Sequence, residues 1–420
     1  MDVDRVMGAR MRVSAKMLIL GAILCGLCLS ASANTTNDET NPGSAAANPV
    51  PVQPQPNNAK QIPSPPPPPV ATDSVGSTDP VRLTLLLPLQ SEIFGAAANA
   101  VRAGFMAADE QDGVGVAVSV VQTTDIPEEV VSSYTNALAS SDIIIGPLTR
   151  SSAAAIAESG AVRIPTISLT QTDVESESPS SLPPLMMTMG LSVEDEARQV
   201  ASWIASGKPA GKVFVISTSA SWQRRAAKAF VVKGQSQGLD TVAVELGSAG
   251  GYLSASDLAH LKSQVTAEKP GSIFLALNVN QARQVRGVMG SDAITYGTAQ
   301  LNPLALSDWV TAERMFDMNG VRLLDIPWQL QADHPAVMIY PKQVVPADKK
   351  RSADMERLYA LGIDAFRVAR LVAVHRKQFE LDGVTGKLSV GFNKDNVHFE
   401  RIEPEAIYRE GIVTFMDDGR

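Results

Sequence analysis

Residues 142–172 read DIIIGPLTRSSAAAIAESGAVRIPTISLTQT, and this stretch decides the fold class. Residues 143–145 are three isoleucines, the β-branched run of a strand buried on both faces, and Gly146-Pro147 stops it. A helix over 153–159 follows, with Ser151 or Ser152 as its cap, and 164–169 is a second buried strand with Pro165 near its start. This is a βαβ unit, and its right-handed crossover places both strands in one parallel sheet. The loops after the two strands, 146–151 and 168–172, then emerge at the carboxyl ends, where ligands of such sheets bind. Both loops are rich in hydroxyls, and one ends at a helix N-terminus whose free N–H groups favour an anion such as a carboxylate. The same hydroxyls also serve as caps and turn formers, and the residues alone leave both readings open.

The 420 residues are 45% hydrophobic and 19% charged, with a net charge of −8. At roughly 100–200 residues per domain, this is globular material for two domains or one two-lobed fold. The acidic balance argues against nucleic acid as a partner.

Residues 1–33 read as a signal peptide: Arg10, Arg12 and Lys16 precede the apolar run 17–29, and Ala31-Ser32-Ala33 is a small-residue cleavage site before Asn34. Its removal takes away four basic and two acidic groups, moving the charge from −8 to −10. Both cysteines, Cys25 and Cys28, lie within the apolar run, so the exported chain has neither a disulfide nor a thiol nucleophile. A soluble periplasmic protein is expected, with outer-membrane association as the alternative. No other stretch is long and apolar enough to span a bilayer. Residues 34–80 hold 12 prolines and no aromatic residue, the composition of a disordered linker. Such a tether reaches roughly 140 Å as polyproline II or roughly 40 Å as a flexible coil.

From residue 81 onward, strand and helix signals alternate with short connections, the pattern of an α/β fold with a mostly parallel sheet. Strands are expected at 82–87, 114–121, 212–217, 241–246, 272–277 and 294–297, and helices at 128–138, 193–206, 221–237, 255–267 and 281–288. The helix after the first strand sets Phe94, Ala98, Val101 and Phe105 on one face. Ser192 followed by Glu194-Asp195-Glu196 is a helix start with acids where the macrodipole favours them, rather than a catalytic acid cluster. A long helix over 352–374 carries Met355, Leu358, Leu361, Ala365, Val368 and Val372 on one face. After it, 387–390, 397–401 and 408–414 read as antiparallel strands.

Several segments carry a resemblance to known proteins. LTLLLPL (83–89), FGAAANAVRAGF (94–105), IIIGPL (143–148) and IPTISLTQT (164–172) resemble a type I periplasmic binding protein, with two Rossmann-like lobes, each with a parallel sheet, around a cleft. GLSVEDEARQVA (190–201), MNGVRLLDIPWQL (318–330), RLYALGIDAFRVARLV (357–372) and LDGVTGKLSV (381–390) are similar to the LppC family, the penicillin-binding-protein activators of Gram-negative bacteria. The resemblance covers 81–420 and implies lobe one over about 81–189 and 294–381, and lobe two over about 190–293 and 382–420. It further implies a cleft holding Gln90, Ser91, Arg150, Ser151, Ser168, Thr170 and Thr172 from lobe one, with Ser219 and Trp222 from lobe two. In branched-chain amino acid receptors the loop that reads S-L-T-Q-T here is similar to S-P-A-A-T. Thr172 then matches their ammonium-binding threonine, while Thr170 and Gln171 replace small residues. Trp222 is equally well read as lobe packing. Enteric members carry a helical-repeat domain and a lipobox. Here a proline-rich segment precedes the fold, and Cys25 follows Ala-Ile-Leu and Cys28 follows Cys-Gly-Leu, poor matches to a lipobox.

Catalytic constellations are not found. Ser-x-x-Lys and Lys-Thr-Gly are absent, none of the three Gly-Lys pairs is followed by Ser or Thr, and the four histidines lack metal-ligand spacing. No catalytic residue, metal or cofactor is expected. The function implied by the resemblance is a non-enzymatic regulator whose partner is a class A penicillin-binding protein. A solute-binding receptor for an amino acid or other small-molecule ligand, feeding an ABC transporter, is the alternative.

Overall fold

The computed structural model describes residues 79–172, 182–290, 292–303, 314–342, 351–393 and 396–417. The expected signal peptide and nearly all of the proline-rich linker lie outside them. Strand β1 (Val81–Leu87) is buried from Leu83 onward because it is flanked on both sides within its sheet and covered on both faces. Helix α1 (Gly95–Asp112), β2 (Val116–Gln122), α2 (Pro127–Ala137), β3 (Ile143–Ile145), α3 (Arg150–Glu158), β4 (Thr166–Ser168) and β5 (Met186–Thr188) complete a five-stranded parallel sheet in the order β2-β1-β3-β4-β5. The edge strand β2 alternates between exposed and half-buried positions, whereas β3 and β4 are wholly buried. Helix α3 starts at Arg150 behind Thr149, whose hydroxyl turns to Ser152 Oγ, so Ser151 and Ser152 are not its caps.

The second lobe opens with α4 (Val193–Ser206), β6 (Val213–Thr218), α5 (Ser221–Ser236) and β7 (Thr241–Leu246). A small hairpin, β8 (Ser248–Ala249) and β9 (Tyr252–Leu253), leads to α6 (Ala255–Glu268), β10 (Ser272–Leu275), α7 (Val279–Met289), β11 (Ile294–Gly297) and β12 (Arg322–Leu324). The chain then runs through α8 (Pro327–Leu330), α9 (Pro335–Ile339) and α10 (Ala353–Ala373) into β13 (Gln378–Asp382), β14 (Lys387–Asn393), β15 (Asn396–Ile402), β16 (Glu405–Arg409) and β17 (Ile412–Phe415). Its seven-stranded sheet runs β17-β16-β12-β11-β10-β6-β7, with β16 and β17 antiparallel at one edge.

Strand pairing moves the expected lobe boundaries. Ile294 lies beside Ser272, so β11, and β12 after it, belong to the second lobe's sheet rather than to lobe one. Conversely, β13, β14 and β15 form a separate antiparallel sheet whose Phe379, Leu388, Val390 and Phe392 join the core of the first lobe. The chain thus crosses between lobes near 189/190, 325/326 and 402/403. The stretch expected as one strand over 408–414 is instead a hairpin, because Glu410 (φ 51°) and Gly411 (φ 78°) turn the chain between β16 and β17. Phe94 is 38% exposed and precedes α1, while Ala98, Val101 and Phe105 are buried as the stripe requires.

Helix α10 is buried almost all round rather than on one face, and α1 lies directly against it. The two backbones meet at Gly104 and Gly362: a Cβ on the first would overlap the Tyr359 carbonyl, and on the second the Val101 carbonyl. Phe105 and Phe366 close the contact edge to face, centroids 5.2 Å apart. Gly104→Ala is expected to lower stability by about 1–3 kcal/mol through overpacking, even though alanine favours helix by about 1 kcal/mol. Urea unfolding measures it, and a stabilised variant would contradict the close crossing.

Candidate functional site

The loops at the carboxyl ends of β1, β3, β4 and β6 hold the residues expected to face a ligand. Three of them, Ser91, Arg150 and Ser168, are engaged by the chain itself. Ser91 is buried, and its hydroxyl accepts from the backbone N–H groups of Ile93 (3.2 Å) and Phe94 (3.0 Å), fixing the approach to α1. Gln90 is exposed, Ser151 and Ser219 are exposed on or before helices, and Trp222 is half-buried at the start of α5. Ser168 donates to the Thr170 carbonyl at 2.8 Å, a local turn, and Thr170 and Thr172 are half-buried beside it.

Arg150 is paired with a carboxylate of the chain. Its Nη2 donates to Glu194 Oε1 and Oε2 (2.9 and 3.0 Å) at the first turn of α4, across the lobes. Glu194 also accepts from Arg225 Nε at 2.7 Å and from Ser192 Oγ at 3.0 Å. Burial works against its charge, but the guanidiniums of Arg150 and Arg225 outweigh burial and hold Glu194 below the ordinary carboxylate range. A second bridge runs parallel. Gln171 Nε2 donates to Asp195 Oδ2 (3.1 Å) while its Oε1 accepts from Thr188 (2.9 Å), so the residue that replaces a small one in the loop spans the lobes. Ser192 caps the Asp195 N–H at 3.2 Å, the helix-start role read from the acids; the bridging by Glu194 and Asp195 lay beyond that reading.

Behind these bridges the three crossings share one buried polar network. Arg401 donates to the carbonyls of Met189 and Gly190, each at 2.8 Å, at the first crossing. Its Nε reaches Thr385, whose hydroxyl donates to the fully buried Asp364 of α10 at 2.7 Å. At the second crossing Arg357 of α10 grips Asp325 with two bonds, Nε to Oδ1 at 2.9 Å and Nη2 to Oδ2 at 2.7 Å. Arg357 Nη2 also donates to the Ala299 and Asn302 carbonyls. Burial opposes the Arg357 charge, but Asp325 more than restores it, and the guanidinium is held above its usual range. At the third crossing Glu403 and Gln199 exchange bonds through the Glu403 backbone, 2.6 and 3.1 Å. The Glu403 side chain is buried, and its Oε2 meets no partner among the described residues. Burial raises its pKa to about 8; Arg401 pulls the other way and Asp325 adds to the rise. Glu196, accepting from the Ala299 N–H at 2.7 Å, is raised well above its ordinary value by burial and then by Glu403.

Sequence reasoning did not single out Glu194, Arg225, Asp325, Arg357, Asp364, Arg401 or Glu403 as site residues. A signal was present in α10, where Arg357 and Asp364 interrupt the apolar row through Leu361 and Val368 at spacings of three and four. Among the described residues no group of three His, Cys, Asp or Glu side chains could hold a metal ion. No helix among them is long and apolar enough to cross a membrane.

Residues 72–401 match the family described as "LppC putative lipoprotein". A 99-residue segment is 34% identical to the penicillin-binding protein activator LpoA of Edwardsiella ictaluri, covering 23% of this chain and 13% of that protein. The LpoA C-domain from Haemophilus influenzae, described as a regulator of PBP1A, superposes with a TM-score of 0.62 at 19% identity, over 80% of this chain and all of that one, a likeness of fold. The structure of a "putative branched-chain amino acid ABC transporter" from Chromobacterium violaceum is 31% identical, with a TM-score of 0.61 over 78% of this chain and all of that one. These relatives are regulators or binding proteins rather than enzymes, and the fold is that of the type I periplasmic binding proteins. With its family match extending over most of the two-lobed fold, the chain belongs to the LppC family.

Proposed function

We propose that the chain is a non-enzymatic periplasmic regulator of peptidoglycan synthesis that binds and activates a class A penicillin-binding protein. The family match over residues 72–401 carries this reading. The cleft supports it: Arg150, Gln171, Ser91 and Ser168, polar groups placed to meet a solute, are engaged by Glu194, Asp195 and the backbone. Activation requires only tighter binding to the active conformation of the synthase than to the inactive one. A coupling of about 1.4 kcal/mol gives a tenfold shift, within the reach of one specific interface. Mixing the chain lacking its first 33 residues with class A synthases of the same cell, and following polymerisation and cross-linking of labelled lipid II, is expected to show a several-fold rise. No change with any of them, from a folded preparation, rejects the activator reading.

The 31% identity to the Chromobacterium violaceum protein favours a second reading, a solute receptor. Thr170 and the bridging Gln171 narrow the amino-acid pocket, so no common amino acid is expected to bind at micromolar affinity. A ligand at a hundredfold excess over its dissociation constant stabilises the folded state by about 2.7 kcal/mol, a clear thermal shift. Such a shift with any amino acid would put the receptor reading first.

A further inference from the structure

A cavity of about 350 Å³ opens between the last turns of α1 and α10 and the strand β13, lined by Asp112, Arg367, Arg370, Leu371, Val374, Arg376 and Leu381. Because α1 runs back from the carboxyl end of β1, this cavity lies at the opposite end of the first lobe from the cleft loops. It gathers three guanidiniums against one carboxylate on a chain whose net charge is −8. The three are not equally engaged. Arg367 is held by Asp364 (3.0 Å) and the Asp382 carbonyl (3.2 Å). Arg370 has Asp112 only at 3.9 Å, and that carboxylate already accepts from the Tyr340 hydroxyl at 3.0 Å. Arg376 has no side-chain hydrogen bond or ion pair among the described residues.

The turn that presents Arg376 is itself unusual. His375 sits at φ 58°, where an L side chain is disfavoured, and the Arg376 N–H returns to the Leu371 carbonyl to close α10. The Val374 and His375 N–H groups satisfy the carbonyls of Arg370 and Val372, which reduces the negative end of the helix dipole facing the cavity. Leu371, Val374 and Leu381 supply the apolar wall, and Val374 is 59% exposed there.

We infer that this cavity is a binding site for an amphipathic anion, a carboxylate or phosphate carried on a short apolar stem, with Arg370 and Arg376 taking the anion and Leu371, Val374 and Leu381 the stem. The volume is within the range of small-ligand sites, and guanidinium forks match both oxyanions. The ligand arrives either free in solution or as the headgroup of a membrane lipid.

Both forms are tested on the full chain by calorimetry with hexyl phosphate, with hexanol as the uncharged control, and by co-sedimentation with vesicles of phosphatidylglycerol against phosphatidylcholine. The variant Arg370→Gln/Arg376→Gln alters exposed or half-exposed side chains, and an unchanged melting temperature shows that it folds. Saturable one-site binding of hexyl phosphate that falls at least tenfold in the variant and weakens with salt supports the site and a soluble ligand. Binding to anionic vesicles alone, lost in the variant, supports the site and a lipid-borne ligand. No binding to either, equal binding of hexanol, or binding unchanged in the variant overturns it.

Discussion

Arg357→Ala is expected to destabilise the chain by about 3–5 kcal/mol, the range for removing one partner of a buried ion pair. Arg357 is 6% exposed and Asp325 fully buried, so truncation leaves the carboxylate, among the described residues, with the Asn302 amide (2.8 Å) and the Ile326 N–H (2.9 Å). It also removes the guanidinium donor from the Asn302 carbonyl, and from the Ala299 carbonyl, which keeps the Asn302 N–H at 2.9 Å. The damage falls at a crossing between lobes, so relative lobe position changes together with stability. Arg357→Lys keeps the charge but not the fork, and is expected to lie between wild type and alanine. Arg357→Met combined with Asp325→Asn removes both charges and should cost less than Arg357→Ala alone. Chemical unfolding of the four proteins measures this. A cost below about 1 kcal/mol for Arg357→Ala would mean that the buried pair does not hold the crossing.

The second large effect is on pH. Glu403 is raised from 4.5 to about 8 in the folded state, by burial first and by Asp325, while Arg401 and Arg357 oppose the rise and Asp195 adds to it. The folded protein therefore binds more protons than the unfolded chain between these two values, and stability falls as pH climbs from near 5 to above 8. For Glu403 alone the loss is at most about 5 kcal/mol, and Glu196, whose own carboxyl is raised alongside, changes stability in the same direction. Glu403→Gln keeps the shape and the neutral state, so it should flatten the alkaline side of the profile and be more stable than wild type near pH 9. Melting temperatures from pH 5 to pH 9 provide the test. A Glu403→Gln profile that still falls in parallel with wild type would assign the titration to another group. Since Glu403 stands at the third crossing and Glu196 at the head of α4, ionisation there loads the hinge itself.

How much was legible from the residues differs between framework and site. The run of isoleucines at 143–145, the buried LTLLL of β1 and the period of α1 gave the parallel sheet and its order of strand and helix, because these signals are local. At the cleft loops, what each side chain meets depends on residues far away in the chain. Arg150 was expected to face a ligand, and its guanidinium instead meets a carboxylate 44 residues away.

The sequence by itself determined the α/β class, the βαβ units, the capped start of α4 at Ser192 and the family motifs, all carried by spacings within a few turns or one strand. Only the tertiary structure decided that β11 and β12 complete the second sheet, that β13–β15 join the first lobe's core, and that the crossings are tied by Arg357–Asp325, Arg401 and Glu403. The physical reason is range. Periodicity states which face of an element is buried, but a buried charge is satisfied by whatever the crossover brings to it, as when Gln199 meets Glu403 from 204 residues away.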